Sequence, residues 1–521
     1  MAPATGASLG IRPVGDRAFL VELPGLAEVL SVHRQLRADP SDGQLDVVAG
    51  ARTVLVTASS PDAARRLAAR VRGLDPTLTV ARDDSIVTLD TVYDGEDLDA
   101  VAELTELDRA EVIAIHSGQL WTAAFCGFAP GFAYLVGEND RLRVPRRTSP
   151  RTAVPALSVA LAGEFSGVYP GESPGGWQLI GRTDAALWDA SREAPALIRP
   201  GNRVRFRPVR EVVHIPTPAV KFAETGVGDI LVVTAGLQTT VQDLGRPGYA
   251  DLGVTGSGAV DRAALERANR LAGNPDAAAG LEIVYGGLVV EALTDQVVAV
   301  TGATVPLTVA GKQRERTAPL NAPFALLAGD RLTLGVPDSG LRSYLAFRGG
   351  IDVAEVLGSR STDTLSGLGP PILHNGMRLA IEPAPPGSVV DDPDIGFAGY
   401  PGFAELRFVP GPRADWFDDA AVTRLTNEDW TIGNRSNRVG VQLEGRPLVR
   451  IRHDELPSEG TVSGAIQVPP DGLPILFLAD HPVTGGYPVI GVVVAADLDA
   501  VAQLPPGSRV RFTALAPGRD R

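Results

Sequence analysis

Two hydrophobic periods alternate at the start of the chain. Apolar residues run through Ala18–Leu23 and through the β-branched stretch Thr53–Thr57 as strands would place them. Leu26–Leu36 and Pro61–Val71 carry theirs at helical spacing. Pro61 suits a first helical turn, where a missing N–H costs nothing. Thr77–Val80 and Ile86–Tyr93 read as further strands, so residues 1–93 are expected to form a small α+β domain. Two short helices follow between Glu96 and Ile115, the second with Asp108 as its N-cap.

After Gly118 the texture changes. Short alternating runs are separated by turn signals such as Gly127, Pro130-Gly131, Pro170-Gly171 and Pro174-Gly175. Regular turns between short strands predict a β-barrel or a sandwich, and residues 94–210 are assigned to a barrel. Residues 211–228, with Pro216 and Pro218 and no clean period, read as a linker. A strand at Ile230–Thr234 opens the next part. Ala259–Ala272 is its clearest helix, stopped by Gly273-Asn274-Pro275. Strand-like runs at Leu288–Val290, Val297–Thr301, Phe324–Leu327 and Leu332–Val336 predict a barrel over 229–390. A Pro-rich boundary at Pro383–Pro393 precedes another over 391–521. The fold class is therefore mixed and mainly β.

One sentence is written twice. Gly175–Gly181 reads Gly-Gly-Trp-Gln-Leu-Ile-Gly, followed by Asp189-Ala190 and Pro200-Gly-Asn-Arg-Val-Arg-Phe206. Gly485–Gly491 reads Gly-Gly-Tyr-Pro-Val-Ile-Gly, followed by Asp499-Ala500 and Pro506-Gly-Ser-Arg-Val-Arg-Phe512. A single long offset signals two related modules, because a solenoid repeats at about 20–50 residues. Gly329–Leu334 and Gly376–Ile381 share the shorter form Gly-x-Arg-apolar-x-apolar, the pattern of a turn leading into a barrel's closing hairpin strand.

Composition narrows the classes. The chain has 521 residues, a length that calls for several cores. Net charge is −14 and the only lysines are Lys221 and Lys312, so a nucleic-acid partner is not expected. No apolar run is long enough for a membrane span, and no secretory signal precedes Gly10. The single cysteine, Cys126, makes no intrachain disulfide and suits a cytoplasmic protein.

Familiar motifs are absent or out of context. There is no P-loop, no Gly-x-Gly-x-x-Gly opening a helix, and no zinc spacing among the six histidines. Gly171-Glu-Ser-Pro-Gly175 matches a nucleophile elbow in letters, but strand-like residues follow where a helix is required. Ser173 keeps a ligand-binding reading because Gly175-Gly176 offer unhindered N–H groups. His116, after an apolar helix face, and His481, in a polar break before Thr484-Gly-Gly-Tyr, are candidate catalytic groups; the alternative for each is a structural histidine. Arg146, Arg147 and Arg151 form a local cluster suited to phosphate or carboxylate, or else a solvated loop. Asn437, Arg438, Glu459 and Gln467 could line a site for a small polar carbonyl compound, Glu459 as a catalytic acid or base.

Longer stretches carry a family resemblance. Gly127–Leu135, Pro145–Arg151 and Gly167–Thr183 resemble the B subunit of bacterial 5-oxoprolinase, formerly called allophanate hydrolase subunit 1 or KipI. Val241–Gly248, Gly258–Asn269, Gly358–Asp363 and Gly464–Gly472 resemble its C subunit, or KipA. The resemblance runs along nearly the whole chain in the order B then C. It implies cyclophilin-like barrels, kinship with the carboxyltransferase region of urea carboxylase, and partnership with a separate A subunit. It also implies a lactam substrate, 5-oxo-L-proline, opened to glutamate with ATP, accompanied by Mg2+; metal ligands are unassigned. The resemblance assigns no residue to these roles; on the chemistry of the side chains, Ser173, Asn437, Arg438, Gln467 and Thr484 are expected on the lactam, and Arg146, Arg147 and Arg151 on phosphate.

Two departures stand out. The family's usual Val-Pro-Ala-Gly-Ser has Leu157 in place of glycine, and His481-Pro482-Val483 replace Arg-Gln-Thr before Thr484. Two other functions remain open. One is a biotin-dependent carboxyltransferase for urea or another amide. Its biotin would arrive on another protein, since Met1 and Met377 are the only methionines and no Met-Lys-Met segment exists. The other is a non-catalytic regulator of a histidine kinase. A homo-oligomer is left open.

Overall fold

The computed structural model describes residues 9–78, 85–211, 228–311, 314–387, 393 and 401–515. The first unit is a four-stranded antiparallel sheet in the order Gly10–Pro13, Ala18–Glu22, Thr53–Ala58, Gln44–Ala49. Its two faces do different work, as alternation along a strand requires. Phe19, Val21, Val54 and Val56 face the helices Leu26–Ala38 and Pro61–Val71. Leu20, Val48 and Leu55 pack instead on Phe477, Val489 and Val492, near the other end of the chain. Ser60 caps the second helix at the Ala63 N–H, and Pro61 occupies its first turn. Of the strand expected at Thr77–Val80, Thr77 turns onto the Asp75 carboxylate, the Leu78 N–H donates to the Asp75 carbonyl, and residues 79–80 lie outside the described residues.

Ile86–Val92, expected in the first domain, pairs with no strand of this sheet and is a barrel strand, so the first domain ends before residue 93. The closed barrel runs Phe165–Val168, Ala133–Val136, Trp121–Cys126, Arg203–Pro208, Ile86–Val92, Gln178–Thr183, Ser158–Ala162. Leu89, Trp121, Leu135, Leu161, Ile180 and Phe206 fill its interior. Helices Leu98–Thr105 and Arg109–Gly118 pack beside it. The second opens on a full capping box, Asp108 with the Glu111 N–H at 2.8 Å and Glu111 with the Asp108 N–H at 2.9 Å.

The second closed barrel repeats that circuit: Ile475–Phe477, Gly440–Glu444, Trp430–Ile432, Arg509–Ala514, Phe403–Pro410, Val489–Val493, Ala465–Gln467. The repeated sentence thus supplies equivalent strands to two barrels of one topology. Arg203–Pro208 and Arg509–Ala514 do close their barrels, but not as hairpin strands. Each lies parallel to its barrel's first strand, with Phe206 beside Leu89 and Phe512 beside Leu406. A parallel neighbour demands a long crossover, which here is the rest of the barrel.

Residues 229–390 are corrected from a barrel to two open sheets. Seven strands pair in the order Glu315–Thr317, Leu307–Ala310, Arg331–Leu334, Leu288–Ala292, Ile230–Ala235, Arg378–Ile381, Ile351–Asp352. Five pair as Gln238–Gln242, Gly280–Val284, Ser339–Phe347, Gln296–Thr304, Pro323–Leu326. The physical reason lies in the alternation of the central strands. Val298, Val300, Leu345 and Phe347 face the larger sheet, while Ala299, Tyr344 and Ala346 face the helix Arg262–Ala272. A sheet covered by a sheet on one side and a helix on the other stays open. The two short echoes are strands of the larger sheet. Gly201, Gly329, Gly376 and Gly507 share φ between 88° and 91°, so the pattern encodes a left-handed turn into a strand, not barrel closure. The helix begins at Arg262, with Asp261 accepting from the Ala264 N–H at 2.8 Å.

The expected linker at 211–228 lies outside the described residues over 212–227, as do Lys221 and Lys312; residues 388–392 of the Pro-rich boundary do too. Among the described residues no helix is long and apolar enough to cross a membrane.

Candidate functional site

The two Gly-Gly-aromatic turns face each other across one cleft. Each turn follows a short ribbon: Ser173–Gly175 against Arg151–Val154 in the first half, Thr484–Gly485 against Glu459–Gly460 in the second. Between them is a cleft of about 500 Å³ whose walls include Gly175, Gly176 and Trp177 from one barrel and Gly485, Gly486 and Tyr487 from the other. The leading glycine of each turn is fixed by what stands behind it. A Cβ on Gly175 would lie 2.3 Å from the Tyr169 hydroxyl, and one on Gly485 would lie 2.6 Å from Gln467 Nε2. Both turns therefore expose bare backbone toward the cleft.

One wall is aromatic. Phe132 meets Tyr169 and Trp177 edge-on, each with ring centroids 5.3 Å apart, and Phe128 meets Phe132 at 5.3 Å. Phe128 has φ 66°, a left-handed conformation that costs a bulky residue about 1–2 kcal/mol and is typical of functional loops. Its side chain is 37% exposed. Tyr487 stands on the opposite wall, 45% exposed.

The arginine cluster is divided. Arg147 Nη1 lies 2.5 Å from Asp97 Oδ1, and Arg151 Nη2 lies 2.9 Å from the same oxygen and 3.0 Å from Glu96. Burial alone would raise the Asp97 carboxyl. Arg151, the Leu179 N–H at 2.7 Å and Arg147 together outweigh it and hold the group below the usual carboxylate range. Arg151 and the main part of Arg147's charge thus serve an internal ion pair. Arg146 and Arg143 also line the cleft, are exposed, and meet no carboxylate among the described residues; Glu164 and Glu455 are the acids at its edge.

The other sequence candidates scatter. Thr484 lines the cleft, and Gln467 supports it from behind, its Nε2 donating to the Tyr487 carbonyl at 3.3 Å. Ser173 sits on the ribbon opposite Val154, outside the cleft wall. Asn437 is exposed and closes a turn by accepting from the Val439 N–H at 2.8 Å. His116 is fully buried in the first barrel, against Trp121 and Phe206. Its Nδ1 is 2.8 Å from the Tyr93 hydroxyl and its Nε2 2.9 Å from Ser166 Oγ; burial pulls its pKa down to about 3. Arg438 is equally buried. It donates to Glu282 at 2.7 Å and to both oxygens of Asp480 at 2.9 Å, joining the two-sheet unit to the second barrel.

Glu459 turns away from the cleft and pairs with Arg413, which also reaches Glu22 of the N-terminal sheet at 2.7 Å. Burial outweighs that pairing and leaves the Glu459 carboxyl above its ordinary range. His481 lies in a separate cavity, its Nδ1 2.9 Å from the Pro482 carbonyl and its ring stacked on Phe477 at 5.8 Å. The residues that sequence reasoning missed are Phe128, Tyr169, Trp177, Tyr487 and Arg143. Trp177 and Tyr487 were in the repeated sentence itself, and Phe128 in the Gly127–Leu135 motif; nothing local distinguished Arg143.

Known proteins resemble this chain along most of its length. Residues 9–198 match the family model for carboxyltransferase domain subdomains C and D, and 252–514 match that for subdomains A and B. The chain is 38% identical over 284 residues to the C subunit of 5-oxoprolinase from Escherichia coli K12, covering 54% of this chain and 89% of that protein. It is 34% identical over 212 residues to the B subunit of 5-oxoprolinase from Escherichia coli O157:H7, covering 38% of this chain and 96% of that protein. Urea amidolyase of Lachancea kluyveri is 32% identical over 321 residues, 55% of this chain but 17% of that protein. The crystal structure of TTHA0988 superposes with a TM-score of 0.86 at 34% identity, over 95% of this chain and 99% of that one.

Proposed function

From a chain that belongs to the carboxyltransferase-domain family and carries counterparts of the B and C subunits of 5-oxoprolinase in one polypeptide, we propose the B/C component of an ATP-dependent 5-oxoprolinase. The observation that carries this reading is the cleft itself, walled by equivalent turns of both halves. A partner resembling the A subunit would complete the enzyme, and the chain would work in the cytoplasm, where ATP is supplied and Cys126 stays reduced.

The chemistry fits the groups present. 5-Oxo-L-proline carries a carboxylate and a lactam. Arg143 and Arg146 suit a carboxylate or a phosphate, and the bare backbone of the two glycine turns with the Thr484 hydroxyl suits a lactam. ATP would supply the phosphoryl group that makes a poor amide electrophile reactive. Among the described residues no three acidic, histidine or cysteine side chains gather as a metal site, and Mg2+ would be held chiefly by the phosphates it accompanies. The aromatic wall would exclude water from the reacting lactam.

The test is reconstitution. The purified chain, mixed with an A-like partner, should release glutamate from 5-oxoproline only when ATP is present. A complete complex that turns over no ATP would sink the reading. The similarity to urea amidolyase favours a second reading, carboxyl transfer from a biotin carried in trans. Biotin-dependent carboxylation of urea by the chain would establish that one instead.

A further inference from the structure

A second cavity, of about 390 Å³, lies where the N-terminal sheet, residues 244–262 and the second barrel meet, and it shares no wall residue with the inter-barrel cleft. Its volume is within the range of small-molecule sites, and junctions between units are where such sites concentrate. Leu45, Val48, Leu55, Val492 and Leu498 give it an apolar floor.

In its polar wall four hydroxyls, those of Thr255, Ser257, Thr461 and Ser463, have their protons committed to the protein, while Thr57 Oγ1 accepts from the Asp46 N–H at 3.1 Å. Ser257 Oγ donates to Asp480 at 2.7 Å, Ser463 Oγ to the Leu478 carbonyl at 3.1 Å, and Thr461 Oγ1 to the Pro482 carbonyl. The Pro482 carbonyl also fixes the proton of His481 on Nδ1, which leaves Nε2 a lone-pair acceptor. Asp46 adds a carboxylate whose Oδ1 accepts from the Gly248 and Ala250 N–H groups at 3.0 Å each. Those four hydroxyls and His481 therefore meet a guest as acceptors, Ser257 already sharing its oxygen with Arg438 Nη2 at 3.4 Å. At the edge, Arg17 and Arg262 are exposed and make no ion pair within 4 Å to a carboxylate among the described residues.

A wall that combines acceptors and carboxylates, Asp16 and Asp46, with the guanidinium groups of Arg17 and Arg262 matches the two charges of a zwitterion. We infer that this cavity binds a small aliphatic α-amino acid, its ammonium among Asp46, Ser257, Ser463 and His481, its carboxylate at Arg17 and Arg262, and its side chain on the apolar floor. Burial pushes the Asp46 carboxyl up to about 6, so a cationic guest would relieve a group that otherwise resists ionising. This inference goes beyond the proposed lactam chemistry and stands without it.

The test titrates three probes calorimetrically into the full chain: L-leucine, 3-methylbutylamine and 4-methylpentanoate. L-Leucine should bind, with each analogue at least about tenfold weaker. The double substitution Arg17→Gln/Arg262→Gln, at exposed positions that a thermal melt can clear of misfolding, should bring L-leucine down to the level of the amine and leave the amine unchanged. Arg146→Ala, in the other cleft, should leave L-leucine binding as it was. The inference fails if no probe binds by about 10 mM. It also fails if the amine binds as tightly as L-leucine, or if Arg146→Ala abolishes binding while the double variant does not.

Discussion

Gly127 of the first barrel and Thr484 of the second approach so closely that a methyl group on Gly127 would sit 2.0 Å from the Thr484 hydroxyl oxygen. The contact sets the spacing of the two barrels, and with it the width of the cleft. Threonine is stiff at χ1 and cannot swing clear. Gly127→Ala should therefore destabilise the protein by about 1–3 kcal/mol, the usual range for overpacking. Thr484→Ala should recover part of that loss. A double-mutant cycle by urea unfolding measures the coupling; strictly additive effects would contradict the contact.

Arg146 and Arg147 should separate function from stability. Arg146→Ala removes a guanidinium that no carboxylate among the described residues holds, so KM for an anionic substrate should rise several-fold with the melting temperature unchanged. Arg147→Ala takes one partner from the buried Asp97 and should cost about 1–2 kcal/mol, less than a fully buried pair because Arg147 is partly solvated and Arg151 remains. Steady-state kinetics and thermal melts on both variants give the comparison. A KM change confined to Arg147→Ala would reverse the assignment.

His116 should be a source of acid sensitivity, not of catalysis. Its folded pKa of about 3 lies below the ordinary histidine value, so between the two the unfolded chain binds the extra proton. The stability it contributes is full above about pH 6.5 and falls as the pH drops toward 3. His33, drawn down to about 4 by burial, acts in the same direction. His116→Gln should flatten the fall in stability across that window while kcat persists. Loss of turnover in a well-folded His116→Gln would restore a catalytic role.

Leu157 occupies the third position of the Pro155–Ser158 turn with φ 64°, where the family's glycine is at home. Elsewhere glycine is worse than alanine by roughly 0.5–1 kcal/mol. Here that order should invert. Both variants lose buried leucine packing, but Leu157→Gly should be more stable than Leu157→Ala by about 1 kcal/mol, since only alanine keeps the left-handed strain. Chemical denaturation of the pair decides it; the ordinary ranking would mean that the turn relaxes.

Arg438 holds two buried acids at once. Arg438→Met should cost about 3–5 kcal/mol, because Glu282 and Asp480 are left in the interior without their main partner. The loss should appear as early separation of the two-sheet unit from the second barrel, seen as an added transition in calorimetry. A small single-transition change would show that water or the neighbouring Arg342 compensates.

Local signals were legible and distant pairings were not. The Asp108–Glu111 capping box, the Pro61 helix start and the repeated Gly-Gly-aromatic sentence are complete within a few residues, and the structure has all three. The Gly-x-Arg-apolar form encodes a left-handed turn and a strand, but a strand does not say whether its sheet will close. Gly329 and Gly376 carried the same pattern into an open sheet. At the site, Thr484 and Arg146 could be picked out because the repeat and the arginine cluster mark them. Arg147 and Arg438 could not be sorted, since Asp97 lies 50 residues from one and Glu282 156 from the other.

The closure of each barrel by its first and last strands has a consequence for synthesis. Neither barrel can seal on the ribosome until its own final strand emerges, and the outer face of the N-terminal sheet waits longer still. Leu20, Val48 and Leu55 find their partners only when Val489 and Val492 have been made. At roughly 5–20 residues per second, that apolar face is uncovered for on the order of tens of seconds. The docking of the N-terminal sheet is thus a late event, one that joins the earliest residues of the chain to nearly its last.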